Sequence, residues 1–189
     1  MAFLSQVEMR ARGERVLARQ QVLGKTARAF LAEATSFDHD TTYDIFLSHS
    51  IRDQALVTGV ADRLKRAGFS VYVDWIDDAQ LDRTAVTPEN AERLRVRMRQ
   101  CRSLLYLATE NASRSKWMPW EVGFFDGLDE GVIGVLPVLD DPKEEFQGME
   151  FLGLYAVVDV RPAGTGHALF IKERGKAPVR LRDLVKKSS

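Results

Sequence analysis

Residues 43–50 read YDIFLSHS, a short apolar run closed on both sides by polar residues. A strand buried on both faces of a parallel sheet reads this way. The next segment, Arg52 to Ala67, carries Leu56, Val60, Leu64 and Ala67 on one stripe. That is an amphipathic helix, and Gly68 ends it as a C-cap. FSVYVDW, residues 69–75, is again strongly β-prone and delivers Trp75 at the strand's exit. Strand, helix, strand within 33 residues predicts a crossover unit of a parallel sheet.

The same alternation continues. A polar stretch, IDDAQLDRTAV, leads to Thr87-Pro88, an N-cap followed by a first-turn proline. In the helix that follows, Ala91, Leu94, Met98 and Cys101 form the inward seam, with Arg93, Arg95, Arg97 and Arg99 outside it as a solvated face. SLLYLAT (103–109) is a third strand, the loop ENASRSK leads to a helix around Glu121, and GVIGVLPVLD (131–140) is a fourth. FLGLYAVVDV (151–160) is a fifth, HALFIKE (167–173) a further edge strand and VRLRDLVKK (179–187) a terminal helix. Upstream, residues 3–35 read as helix through Val16, Leu23, Ala27, Phe30, Leu31 and Ala34, with Gly13 dividing it. FDHDTT (37–42) breaks the pattern, so residues 1–40 are expected as a helical extension and 41–189 as the α/β domain.

Bulk composition narrows the function classes. The 189 residues are 45% hydrophobic and 29% charged, as a globular chain should be. Lys+Arg and Asp+Glu stand at 27 each, which gives no general pull toward nucleic acid or an anionic membrane. One cysteine, Cys101, rules out an internal disulfide framework and fits a reducing compartment. No apolar run reaches the roughly 18 residues of a membrane span. Glu8, Arg10 and Arg12 interrupt what a signal peptide would keep apolar, so cytoplasm is the expected location.

In such sheets ligands bind outside the carboxyl ends of the strands. Ser48, His49, Trp75, Arg83, Asn111, Ser115 and Trp117 are the candidate substrate contacts there. Glu121 follows just inside the helix, in SKWMPWEVGFF, among two tryptophans and two phenylalanines. A carboxylate in such company needs a partner or a task. Other chemistries fail. The chain has no glycine-rich phosphate loop, no His or Cys pair at metal-ligand spacing, and no G-x-S-x-G elbow around Ser48.

Four segments together resemble the Toll/interleukin-1 receptor (TIR) domain family, bacterial stand-alone type. YDIFLSHS resembles its opening box and AGFSVYVDW its second strand, ahead of a BB loop at about residues 76–88. CRSLLYLATENASRSKWMPWE resembles the third strand and following helix, with Ser115, Trp117 and Glu121 in the family's Ser-x-Trp-x3-Glu register, and IGVLPVLDD the fourth strand. Met118 stands where the family often has cysteine, and the BB loop lacks the usual glycine. The resemblance implies a flavodoxin-like three-layer α/β domain with a five-stranded, mainly parallel sheet. It implies NAD as substrate rather than cofactor, cleaved at the nicotinamide–ribose bond with Glu121 as the key residue. The product would be ADP-ribose or a cyclic ADP-ribose-type signal, as in Thoeris-type antiphage defence, read by a separate effector after self-association through TIR surfaces. Two alternatives stand beside it: a non-catalytic TIR scaffold for homotypic interaction, and a nucleotide N-glycosidase.

Overall fold

The computed structural model describes residues 2–22, 41–78, 87–128, 131–143, 146–164 and 166–186. The strands are β1 (Leu4–Ser5), β2 (Ile45–Ser48), β3 (Val71–Tyr72), β4 (Ser103–Ala108), β5 (Val132–Leu139), β6 (Ala156–Ala163), β7 (Gly166–Lys172) and β8 (Val179–Arg180). The helices are α1 (Gln6–Val22), α2 (Gln54–Arg66), α3 (Asp74–Asp77), α4 (Pro88–Arg99), α5 (Trp117–Asp126) and α6 (Leu181–Val185). The sheet order is β3-β2-β4-β5-β6-β7-β8. From β3 to β6 every pairing is parallel. These five strands hold the flavodoxin-like order 2-1-3-4-5 that the alternation implies.

Alternation along the central strands creates the three layers. Ile45, Leu47, Leu105 and Leu107 face one way, into a core with Met9 of α1, Val57 and Val60 of α2 and Leu181 of α6. Phe46, Leu104 and Tyr106 face the other way, toward Leu94 and Met98 of α4 and Trp117, Met118, Val122 and Phe125 of α5. The start of α4 follows its sequence signals, with Thr87 Oγ1 accepting from the Asn90 N–H at 3.2 Å and Pro88 in the first turn.

The structure corrects several expectations. The sheet extends past its five parallel strands, because β7 and β8 add antiparallel and β7 is therefore not the edge. The fifth strand starts at Ala156, since Glu150–Leu154 wind into a 3-10 turn. FSVYVDW contributes only Val71–Tyr72 to the sheet, and Trp75 lies in α3 rather than at a strand exit. Two carboxylates promote that early turn: Asp77 Oδ2 accepts from the Val73 N–H at 2.7 Å, and Asp74 Oδ1 from the Trp75 N–H at 2.6 Å. Arg97 is buried, not part of a solvated face.

The N-terminal segment also differs. Residues 4 and 5 form a strand parallel to β5, Leu4 beside Val138, and Ala2 bridges to Val160. They fill the gap left where β6 keeps its register with β5 only at Gly134 and Val135. Gly13 does not divide the helix. A Cβ there would stand 1.7 Å from the Ala55 carbonyl oxygen, and one on Gly59 would stand 1.9 Å from that of Met9. The two glycines let α1 and α2 touch backbone to backbone, and that packing offsets their poor helix propensity. Leu23, Ala27, Phe30, Leu31 and Ala34 lie outside the described residues.

Burial pushes the Asp77 carboxyl up to about 6, against a bond from Val73 and the charge of Lys65 that favour its ionised form. A folded-state value above the unfolded ~3.9 gives stability that is whole below that pH and is lost as pH rises through 6. Asp77→Asn keeps the acceptor for Val73 and removes the charge. Its melting temperature should exceed wild type at pH 8, with the advantage shrinking through pH 6 and gone near pH 3.5. A pH-independent difference would refute this account.

Candidate active site

Beyond the carboxyl ends of β2 and β4 the chain leaves toward opposite faces. β2 feeds α2 on one side, and β4 feeds α5 on the other. The crevice between two such strands is the natural ligand position of an open α/β sheet. Glu121 is directed there from the second turn of α5, fully buried at 0% exposure. Trp117, Met118, Val122 and Phe125 make the buried stripe of this helix, and Glu121 falls within it. Its charge is met by Ser48, whose hydroxyl donates to Glu121 Oε2 at 2.6 Å. A bond that short to a carboxylate is charge-assisted and holds the side chain in one place.

The neighbouring polar groups stiffen the rim. His49 Nδ1 lies 2.7 Å from the Leu47 carbonyl oxygen and Nε2 lies 3.2 Å from Asp74 Oδ1, both side chains being buried. This ties the exit of β2 to α3. Asp53, at the foot of α2, accepts from Thr109 Oγ1 and from Asn111 Nδ2, each at 2.7 Å, and so joins the ends of β2 and β4. Ser115 Oγ accepts from the Met118 N–H at 3.3 Å and caps α5. Trp117 is buried edge-on to Trp120, with ring centroids 5.4 Å apart. Trp75 is half-buried against the opposite core, and its indole N–H has no hydrogen-bond partner among the described residues. Arg83 lies outside the described residues.

Of the sequence candidates, Ser48 and Glu121 are thus in direct contact. His49 and Asn111 stand at the same sheet edge on other partners. Ser115 and Trp117 belong to the helix that presents Glu121. Sequence reading missed Asp53, Asp74 and Tyr106. The first two look like ordinary surface acids in a linear reading. Tyr106 sits in an apolar strand, where only its register beside Ser48 reveals it.

Clefts of about 470 and 370 Å³ open elsewhere, the first around Thr42, Cys101 and Gly131, the second around Phe146, Met149 and Lys172. Glu121 lines neither of these two clefts. Chemically, the arrangement is a fixed negative charge in dry surroundings, suited to stabilising developing positive charge. Among the described residues no helix is long and apolar enough to cross a membrane.

Comparison with known proteins adds four findings. A family model described as "TIR domain" matches residues 45–168. A protein of Bacillus cereus (strain MSX-D12), named "Probable 3' cyclic ADP-D-ribose synthase ThsB'", is 45% identical over 136 residues, 71% of this chain and 70% of that protein. A Cytobacillus dafuensis protein carries the provisional name of a cyclic ADP-D-ribose synthase, TIR2, and is 26% identical over 120 residues, 63% of this chain but 31% of that protein. Among solved structures, the TIR domain of the Toll-related receptor TRR-2 from Hydra magnipapillata aligns with a TM-score of 0.42 at 19% identity, over 59% of this chain and 78% of that one.

Proposed function

The chain belongs to the TIR domain family, and on that premise we propose that it is an NAD-cleaving enzyme of the ADP-ribosyl cyclase type, acting in antiphage defence. The observation that carries this reading is the buried Glu121 carboxylate, held by Ser48 at the sheet's switch point. The name of the 45% identical relative, a cyclic ADP-D-ribose synthase, supports it.

The chemistry suits the geometry. In NAD the nicotinamide nitrogen is cationic, so the C1′–N bond breaks with its electron pair going to the ring and no acid is needed. The ribose left behind carries oxocarbenium character, as in glycoside hydrolysis. A carboxylate fixed beside it stabilises that charge most where water is excluded. Attack on C1′ by a nucleophile of the adenosine half closes a cyclic product, a hydroxyl giving up its proton as it does so, whereas attack by water, also with loss of a proton, gives ADP-ribose. Apolar walls from Trp117, Met118 and Val122 favour the internal attack. Trp75 offers a flat ring and an indole N–H for the nucleotide. Self-association through TIR surfaces, a separate effector that reads the product, and a cytoplasmic setting complete this reading.

The test is incubation of the chain with NAD, dilute and under crowding, with separation of nicotinamide, ADP-ribose and cyclic isomers. Nicotinamide accompanied by a cyclic isomer is expected. Its absence at every protein concentration would move the chain to the scaffold class.

A further inference from the structure

Tyr106 is 1% exposed, and its hydroxyl is buried without a hydrogen-bond partner among the described residues. It lies beside Ser48 in the β2–β4 register and points, with Leu104, to the face covered by α5. A phenol in this position costs more than phenylalanine, because its hydroxyl loses water and gains no bond from the described residues in return. Packing does not explain the choice. The edge-on contact with Phe151, at 6.3 Å between centroids, needs only the ring. Burial and the Glu121 carboxylate push the phenol up to about 12, so at neutral pH it carries its proton and can donate it.

We infer that the Tyr106 hydroxyl is a substrate contact, binding a hydroxyl of the ribose that Glu121 serves and forming with Ser48 and Glu121 one polar cluster at the sheet's switch point. This rests on the NAD reading above. The ligand class is a ribosylated nucleotide, and the role is to orient the sugar. Glu121 carries the charge, Ser48 holds Glu121, and Tyr106 fixes the ring that must react.

Tyr106→Phe removes one oxygen and leaves the ring packing in place. With NAD, kcat/KM should fall about tenfold, chiefly through KM, the worth of one hydrogen bond. The melting temperature should hold or rise, since an unpartnered buried hydroxyl is removed. NAD titrated calorimetrically into Glu121→Gln and into Glu121→Gln/Tyr106→Phe should bind about tenfold more weakly to the second. Equal affinity would overturn the role of Tyr106 and leave the NAD reading intact. A clear drop in melting temperature for Tyr106→Phe would overturn it too, because the hydroxyl would then have a partner within the chain. If wild type releases no nicotinamide and Glu121→Gln binds no NAD, the NAD reading itself falls, and this inference with it.

Discussion

Glu121→Gln should release nicotinamide from NAD at least about 10²-fold more slowly than wild type, with no loss of thermal stability. Glutamine keeps the length and an oxygen that can accept from Ser48, so the packing of α5 survives. What disappears is the negative charge opposite the developing oxocarbenium. The stability half of this prediction separates two explanations of the residue. A glutamate near a helix start is stabilised by the macrodipole, but that effect fades after the first turn. Glu121 is the fifth residue of α5 and is fully buried, so the dipole does not account for it. A buried carboxylate costs several kcal/mol in desolvation, which the hydrogen bonds it receives offset only in part. The neutral amide avoids that cost. Lost activity with an unchanged or raised melting temperature is therefore the mark of a residue kept for chemistry. Lost activity with a lowered melting temperature would mark a structural one, and retained activity would remove Glu121 from the mechanism.

The architecture was legible because its long elements carry clean patterns. The central strands are continuous apolar runs, and α2 has an apolar stripe closed by Gly68, which adopts φ 89° as a helix C-cap should. The elements that escaped are those whose state is set by a neighbour. β1 is two residues long and is a strand only because β6 leaves β5 early. Arg97 had the seam spacing, three residues after Leu94 and four before Cys101, yet a guanidinium reads as surface until its partner is known. The site follows the same rule. The Trp117–Glu121 register was readable within one helix, whereas the bond from Ser48 to Glu121 joins residues 73 apart. No local pattern reports such a contact.

Arg97→Met should cost about 3–5 kcal/mol of stability at pH 7.5, more than any surface charge on α4. Arg97 grips Asp78 with two bonds, Nε to Oδ2 at 2.7 Å and Nη2 to Oδ1 at 2.8 Å, and the residues are 3% and 7% exposed. The Tyr72 hydroxyl donates a third bond to the same carboxylate at 2.7 Å, and Arg97 lies over the Tyr72 ring at 5.7 Å. Methionine fills the stem's volume, so packing is not the main loss. The loss is an aspartate left buried with one neutral donor. Exposed ion pairs are worth at most about 1 kcal/mol, so the magnitude alone distinguishes burial from decoration. Rescue gives a second check. Arg97→Met/Asp78→Leu/Tyr72→Phe removes the ion pair together with the phenol that donates to it and should recover most of the loss, since the buried charge and its hydroxyl partner go together. The pair joins α4 to the end of α3, flanking residues 79–86 of the BB loop, so the rescued protein also asks what the network is for. Restored stability with impaired NAD turnover would assign the ion pair to positioning those flanks. Full recovery of both would leave it a structural clasp, and a single-variant cost below about 1 kcal/mol would sink the buried-pair account.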